Sequence, residues 1–117
     1  METAVRMEWL GWSHFRFTSV DGKVILLNPF VNNPDSIVGV DDIGQVDLIL
    51  VTNGHGDEIG QAVEIAQKTG ARVAGGCFDM GTWFLEMGVP AAQVLRANAG
   101  DRILLDGITV RVITGAH

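Results

Sequence analysis

V-D-L-I-L-V-T-N-G-H-G-D-E-I-G, from Val46 to Gly60, is the stretch on which the fold turns. Val46 to Val51 is almost wholly apolar, built of valine, leucine and isoleucine around one aspartate. Such a run predicts a short strand buried on both faces, as in a parallel sheet. The loop that follows carries Asn53, His55, Asp57 and Glu58 within six positions. Gly54 and Gly56 separate them and permit a tight backbone path. A helix is predicted from about Glu58. Strand, polar loop and helix place these groups at the carboxyl end of a strand, where open α/β sheets hold ligands. A plainer reading makes the same residues a turn, with Asp57 capping the helix and Glu58 complementing its dipole.

Working outward, Val5 to Leu10, His14 to Thr18 and Lys23 to Leu27 read as three strands of an antiparallel meander. Gly11 and Asp21-Gly22 supply the turns, and Asn28-Pro29 stops the third strand. Phe30 to Gln45 is a polar loop with a short helical turn near Val40. The helix after the central strand ends at Gly70, a C′ glycine. Ala71 to Ala74 is a strand, and Asp79 to Met87 a helix with a core stripe of Met80, Trp83, Phe84 and Met87. Gln93 to Ala97, Arg102 to Leu105 and Ile108 to Ile113 read as strands, with Asp106-Gly107 as a hairpin turn. The order is that of an α/β (α+β) protein with a mixed sheet and its helices on one face.

Composition limits the function. At 117 residues and 47% hydrophobic content, the chain buries one moderate core. The eight Lys and Arg are scattered on a chain of net charge −6, which argues against nucleic acid as a partner. The longest apolar runs are too short for a bilayer span. The lone Cys77 forms no internal disulfide and is expected to be a small buried residue. A single cysteine and the lack of a signal peptide point to the cytoplasm.

Three further segments accompany the Val46–Gly60 stretch. They are M-E-W-L-G-W-S-H-F-R-F (Met7–Phe17), K-V-I-L-L-N-P-F (Lys23–Phe30) and the closing strand that ends I-T-G-A-H at His117. Together the four resemble, in order and spacing, the metallo-β-lactamase fold in its branch of small metal-dependent hydrolases. Their counterparts there are the motif H-x-H-x-D-H, W-L-G-H-S-x-F, I-L-I-D-P-F and the strand delivering the next metal-binding histidine. The resemblance implies residues 1–117 as the N-terminal half of an αββα sandwich, a single partial domain truncated at its C-terminus. It further implies an apolar face for the missing lobe, open meanwhile to self-association.

The resemblance also implies a ligand set. Asn53, His55 and His117 correspond to one metal site, and Asp57 and Glu58 open a second, with Asp57 orienting the attacking water. Asn28 stands where the family has an aspartate that lies near the motif and orients a metal-binding histidine. Trp12 stands where it has a histidine; His14, two places on and expected on the same side of the strand, is a candidate to present its imidazole near that position, the plainer reading being a structural histidine. Asn53 and Glu58 replace motif histidines, giving N-x-H-x-D-E. These changes move the set toward harder, oxygen-rich ligation, which favours manganese, magnesium or iron over zinc, with the divalent ion, zinc or one of these, expected to bind weakly. The implied function is a metal-dependent hydrolase acting on a phosphoester, ester, lactone or amide of a small molecule. The alternative is a non-catalytic relative that binds a small molecule or a protein. A third reading takes Gly54, Gly56 and Gly60 as a dinucleotide fingerprint; Asp57 and Glu58 oppose it by setting negative charge at the phosphate position.

Overall fold

Strand β4 (Leu48–Val51) lies inside a six-stranded sheet of order β1-β2-β3-β4-β5-β6. A computed structural model describes residues 4–115. Strands β1 (Arg6–Trp9), β2 (Phe15–Thr18) and β3 (Val24–Leu27) are antiparallel neighbours, as the turn signals predict. From β3 through β4, β5 (Arg72–Gly75) and β6 (Val94–Leu95) the pairing is parallel. Four carboxyl ends therefore share one edge, and the loops after Leu27, Val51 and Gly75 meet there.

The side-chain period of two divides the sheet into two faces. Leu26, Ile49, Val51 and Val73 point to one side, into the main core. Helix α2 (Ala62–Thr69) contributes Ala62, Ile65 and Ala66 to it, and α3 (Phe78–Glu86) contributes Met80 and Phe84. Both helices thus pack on one face. Gly70 closes α2 with φ 76°, and Lys68 in its last turn pairs with Asp41 of the 3-10 turn Val40–Asp42.

The opposite face is shared between cover and solvent. Its β3–β5 part lies under a separate hairpin of β7 (Arg102–Leu105) and β8 (Ile108–Arg111). Its β1–β2 part is open: Met7 and Trp9 are 64% and 59% exposed, beside the stacked rings of Phe15 and Phe17. The expected apolar face is therefore present but halved.

Several expected boundaries shift. The strand expected at Gln93–Ala97 is only two residues long, and β7 and β8 do not join the main sheet. A tight turn diverts the chain there: Asp101 Oδ2 accepts the Asn98 N–H, and Asn98 Oδ1 accepts the Phe78 N–H. The single helix expected after β4 is two. Helix α1 is only Gly56–Ile59, with His55 rather than Asp57 at its N-cap and no side-chain cap.

Gly60 makes the break, at φ 48°. A Cβ there would lie 2.3 Å from Phe30 Cα, and the next residue's N–H, on Gln61, donates to Pro29 O at 3.0 Å. The loop after β3 is thereby pressed against the loop after β4. Gly60→Ala should cost roughly 2 kcal/mol or more, combining left-handed backbone strain with a clash against main chain. Gly54→Ala, which meets open space, should stay within about 0.5 kcal/mol of the parent. Urea denaturation of the two variants checks this; equal losses would show that the contact at Gly60 relaxes.

Candidate functional site

The site begins with Asn28, which is buried at the end of β3. Its φ of 50° is a conformation asparagine tolerates better than most residues. Its backbone N–H donates to Leu50 O at 2.8 Å. Its Oδ1 accepts the Thr52 N–H at 2.8 Å and the Thr52 hydroxyl at 3.1 Å. The ends of β3 and β4 are tied together just before the polar loop starts. Asn53 then forms an Asx turn, its Oδ1 accepting the His55 N–H at 2.9 Å. The His55 carbonyl accepts the N–H groups of Glu58 and Ile59, which opens α1.

This path gathers His55, Asp57 and Glu58. One ligand atom from each lies within 4.8 Å of the others. Glu58 Oε2 is buried and has no hydrogen-bond partner. The Glu58 carboxyl is held above the usual carboxylate range, first by its hydrogen bond with Asp57, then by burial and the Asp57 charge. A hydrogen bond with Asn53 and the nearby His55 pull the other way. Two adjacent carboxylates and an imidazole suit a hard or borderline divalent cation, and the unpartnered oxygen is a ready donor for one. The residues present therefore fit a metal ion. Asn53 is brought beside the cluster, with its oxygen already engaged by the turn. His117 lies outside the described residues.

His14 is placed differently from the strand geometry expected for it. Trp12 sits in the β1–β2 turn at φ 52°, half-exposed, with its ring edge-on to Phe30 at 5.5 Å. His14 is fully buried, so positions 12 and 14 do not share an environment. The Phe15↔Leu27 pairing, extended by one residue, sets His14 opposite Asn28. Neither ring nitrogen has a hydrogen-bond partner. Burial, with a smaller push from Arg16, lowers its pKa to about 4. Cys77 is also corrected: it is exposed, at the residue before α3, because the β5–α3 connection turns outward there.

Two features escaped sequence reading. Buried Asn33 donates to Leu10 O at 3.1 Å and Phe30 O at 2.8 Å, locking the first turn to the loop after β3. Its only sequence signal is the Asn-Pro dipeptide, which reads as a turn. The second is a crevice of about 380 Å³ between the sheet and the β7–β8 hairpin. It is walled by Leu27, Leu50, Ala74, Ile103 and Val110, with Thr52 and Asn53 at its margin. No local pattern marks it, because hairpin and sheet are not hydrogen-bonded neighbours.

The buried imidazole has a measurable consequence. Its folded pKa lies below the unfolded value of about 6.5, so the unfolded chain takes up the proton first. The stability contributed by neutral His14 is full above about pH 6.5 and falls toward pH 4, by on the order of 2–3 kcal/mol. His14→Leu should remove most of that loss. Urea midpoints of both proteins between pH 7 and pH 4.5 test it; parallel acid losses would clear His14 of the effect.

No family model matches the chain. Curated relatives do. It is 35% identical over 109 residues to a UPF0173 metal-dependent hydrolase of Myxococcus xanthus, spanning 93% of this chain and 38% of that protein. Relatives of the same description from Thermodesulfovibrio yellowstonii and Methanopyrus kandleri are 34% and 33% identical, covering 94% and 97% of this chain and 43% and 47% of theirs. The chain thus spans less than half the length of these relatives. Among solved structures, Igni18, described as a novel metallo hydrolase from Ignicoccus hospitalis, matches with a TM-score of 0.77 at 31% identity, over 87% of this chain and 43% of that one. The chemotaxis sensor ODP, described with a peroxy diiron species, matches in fold at a TM-score of 0.59 and 14% identity, over 91% and 47%. The chain has the fold of the N-terminal half of a metallo-β-lactamase-like domain and is similar in sequence to that part of the UPF0173 metal-dependent hydrolases.

Proposed function

We propose that the chain supplies the metal-binding half of a hydrolase that acts on a small molecule. The observation that carries this reading is the convergence of His55, Asp57 and Glu58 with one buried, unpartnered Glu58 oxygen. These three would hold a divalent ion, with Asn53 and His117 completing the set. Such an ion lowers the pKa of a water and polarises the bond to be cleaved. The chain's own groups do the rest. Asp57 accepts a hydrogen bond from the attacking water and orients it. Asn28, through Thr52, holds the loop in place. The bond broken is an ester, phosphoester, lactone or amide.

Oxygen-rich ligation favours manganese, iron or magnesium relative to a set of several imidazoles. A non-catalytic binding module is the alternative, favoured by one observation: Asn53 spends its oxygen on the His55 backbone. Calorimetric titration of the chain with Mn²⁺ and Zn²⁺ separates the two. The expected result is one weakly bound ion, with Asp57→Ala weakening it at least tenfold, as loss of a ligand should. Asn53→His, Glu58→His and Asn28→Asp together should raise zinc affinity. No uptake of either ion by the parent chain would favour the binding module.

A further inference from the structure

We propose that His14 is a positioning residue of the candidate site: across one ordered water its imidazole accepts a hydrogen bond from the Asn28 side-chain amide, and so fixes the group that starts the polar loop. The inference rests on the reading above for what the loop does, not for the contact itself. Among the described residues the buried polar side chains are His14, Asn28 and Asn33, and all three gather around the β1–β2 turn and the end of β3. Asn33 grips that turn by donating to Leu10 O and Phe30 O. His14 closes the same turn, its N–H donating to Gly11 O and its carbonyl accepting the Leu10 N–H. The Phe15↔Leu27 pairing, continued by one residue, sets His14 opposite Asn28. Side chains directly opposite on one face of an antiparallel pair have Cβ atoms about 5 Å apart.

Burying a polar group is costly unless it finds a partner. Asn28 Oδ1 takes both Thr52 donors, which directs the two N–H donors of its Nδ2 elsewhere. That Nδ2 enters none of the hydrogen bonds among the described residues. His14 is the reverse case: it is fully buried, and neither ring nitrogen has a partner. A neutral imidazole carries one acceptor nitrogen, and burial keeps His14 neutral by lowering its pKa to about 4. Donor and acceptor thus stand on opposed residues beyond direct hydrogen-bond reach, a gap that one water spans. The ring is enclosed by this chain's own residues, so nothing docking on the surface meets it. Held at both ends, the Asn28 amide cannot turn away from Thr52, and the loop carrying Asn53, His55, Asp57 and Glu58 leaves the sheet from a fixed point.

The test is native-state amide hydrogen exchange at pH 7 in the full 117-residue chain, with no added metal. The reference is the Val89 N–H, which donates to Phe84 O at the end of α3. His14→Leu should speed exchange of the Thr52 N–H about fivefold relative to that reference, as loss of one supporting hydrogen bond would. His14→Gln, which restores an acceptor oxygen, should keep the ratio within about twofold of the parent. In the parent, nuclear Overhauser effects should link the His14 ring to the Asn28 side-chain amide, and both to one long-lived water. No effect between His14 and Asn28 would overturn the proposal from the parent chain alone. An equal rise at Thr52 and Val89 would overturn it too, since His14 would then support the fold at large, and so would a Gln variant that exchanges as fast as the Leu variant. The metal reading fails separately: no Mn²⁺ uptake by a parent whose Thr52 exchange follows the expected pattern would sink that reading and leave His14 in its role.

Discussion

The amide oxygen of Asn28, accepting two hydrogen bonds from Thr52, is the constraint on which the site depends. It ties the ends of two parallel strands at the point where the chain leaves the sheet. An unsatisfied buried acceptor would cost about 1–3 kcal/mol, so the strand ends are held together firmly. The glycine contact at Gly60 supplies the second restraint, from the far end of the same loop. Between them the seven residues 53–59 have little room to rearrange. Asn28 meets the two Thr52 donors with a neutral oxygen, whereas a carboxylate would bury a charge at the base of a loop that already carries two acids.

Electrostatics sets the loop against the stability of the bare chain. Glu58 has a folded pKa above its ordinary value, because Asp57 is hydrogen-bonded to it and burial adds to the effect. Its stabilising contribution is complete below the ordinary carboxylate pKa and is lost as pH rises through the raised value. A cation between the carboxylates would reverse that sign. Groups held in an unfavourable ionisation state are common at sites that use them. The exposed pair of Lys68 and Asp41 contrasts with this, since it answers to no such conflict. Glu8 and Arg16 are likewise a partner-satisfied pair across β1 and β2, bidentate at 2.8 and 2.9 Å.

The two faces of the sheet do different work. One is filled by α2 and α3 around Phe84 and Ile65, which are buried almost completely. That packing anchors β4 and hence the start of the polar loop. The other face leaves room. Its β7–β8 cover rests on a row of modest side chains ending in Ala74, and the gap between them is the crevice. Among the described residues no helix is long and apolar enough to cross a membrane.

Sequence alone determined the elements whose information is local. The apolar run at Leu48–Val51, the Asp-Gly turns, the C′ glycine at Gly70 and the Met80, Trp83 and Phe84 part of the α3 stripe are short-range patterns with counterparts in the structure, whereas Met87, expected in that stripe, is half-exposed just past the helix end. The strand–loop–helix spacing also sufficed to place His55, Asp57 and Glu58 at a sheet's carboxyl edge. Tertiary contacts decided the rest. The helix break at Gly60 depends on Phe30, thirty residues away in sequence, and the side-chain role of Asn28 depends on Thr52. Whether His14 is buried or exposed depends on how the first turn docks, since its spacing from Trp12 suits either. The hairpin could not be assigned to a separate sheet from its strand pattern, because alternation reports which residues share a face and not what that face meets.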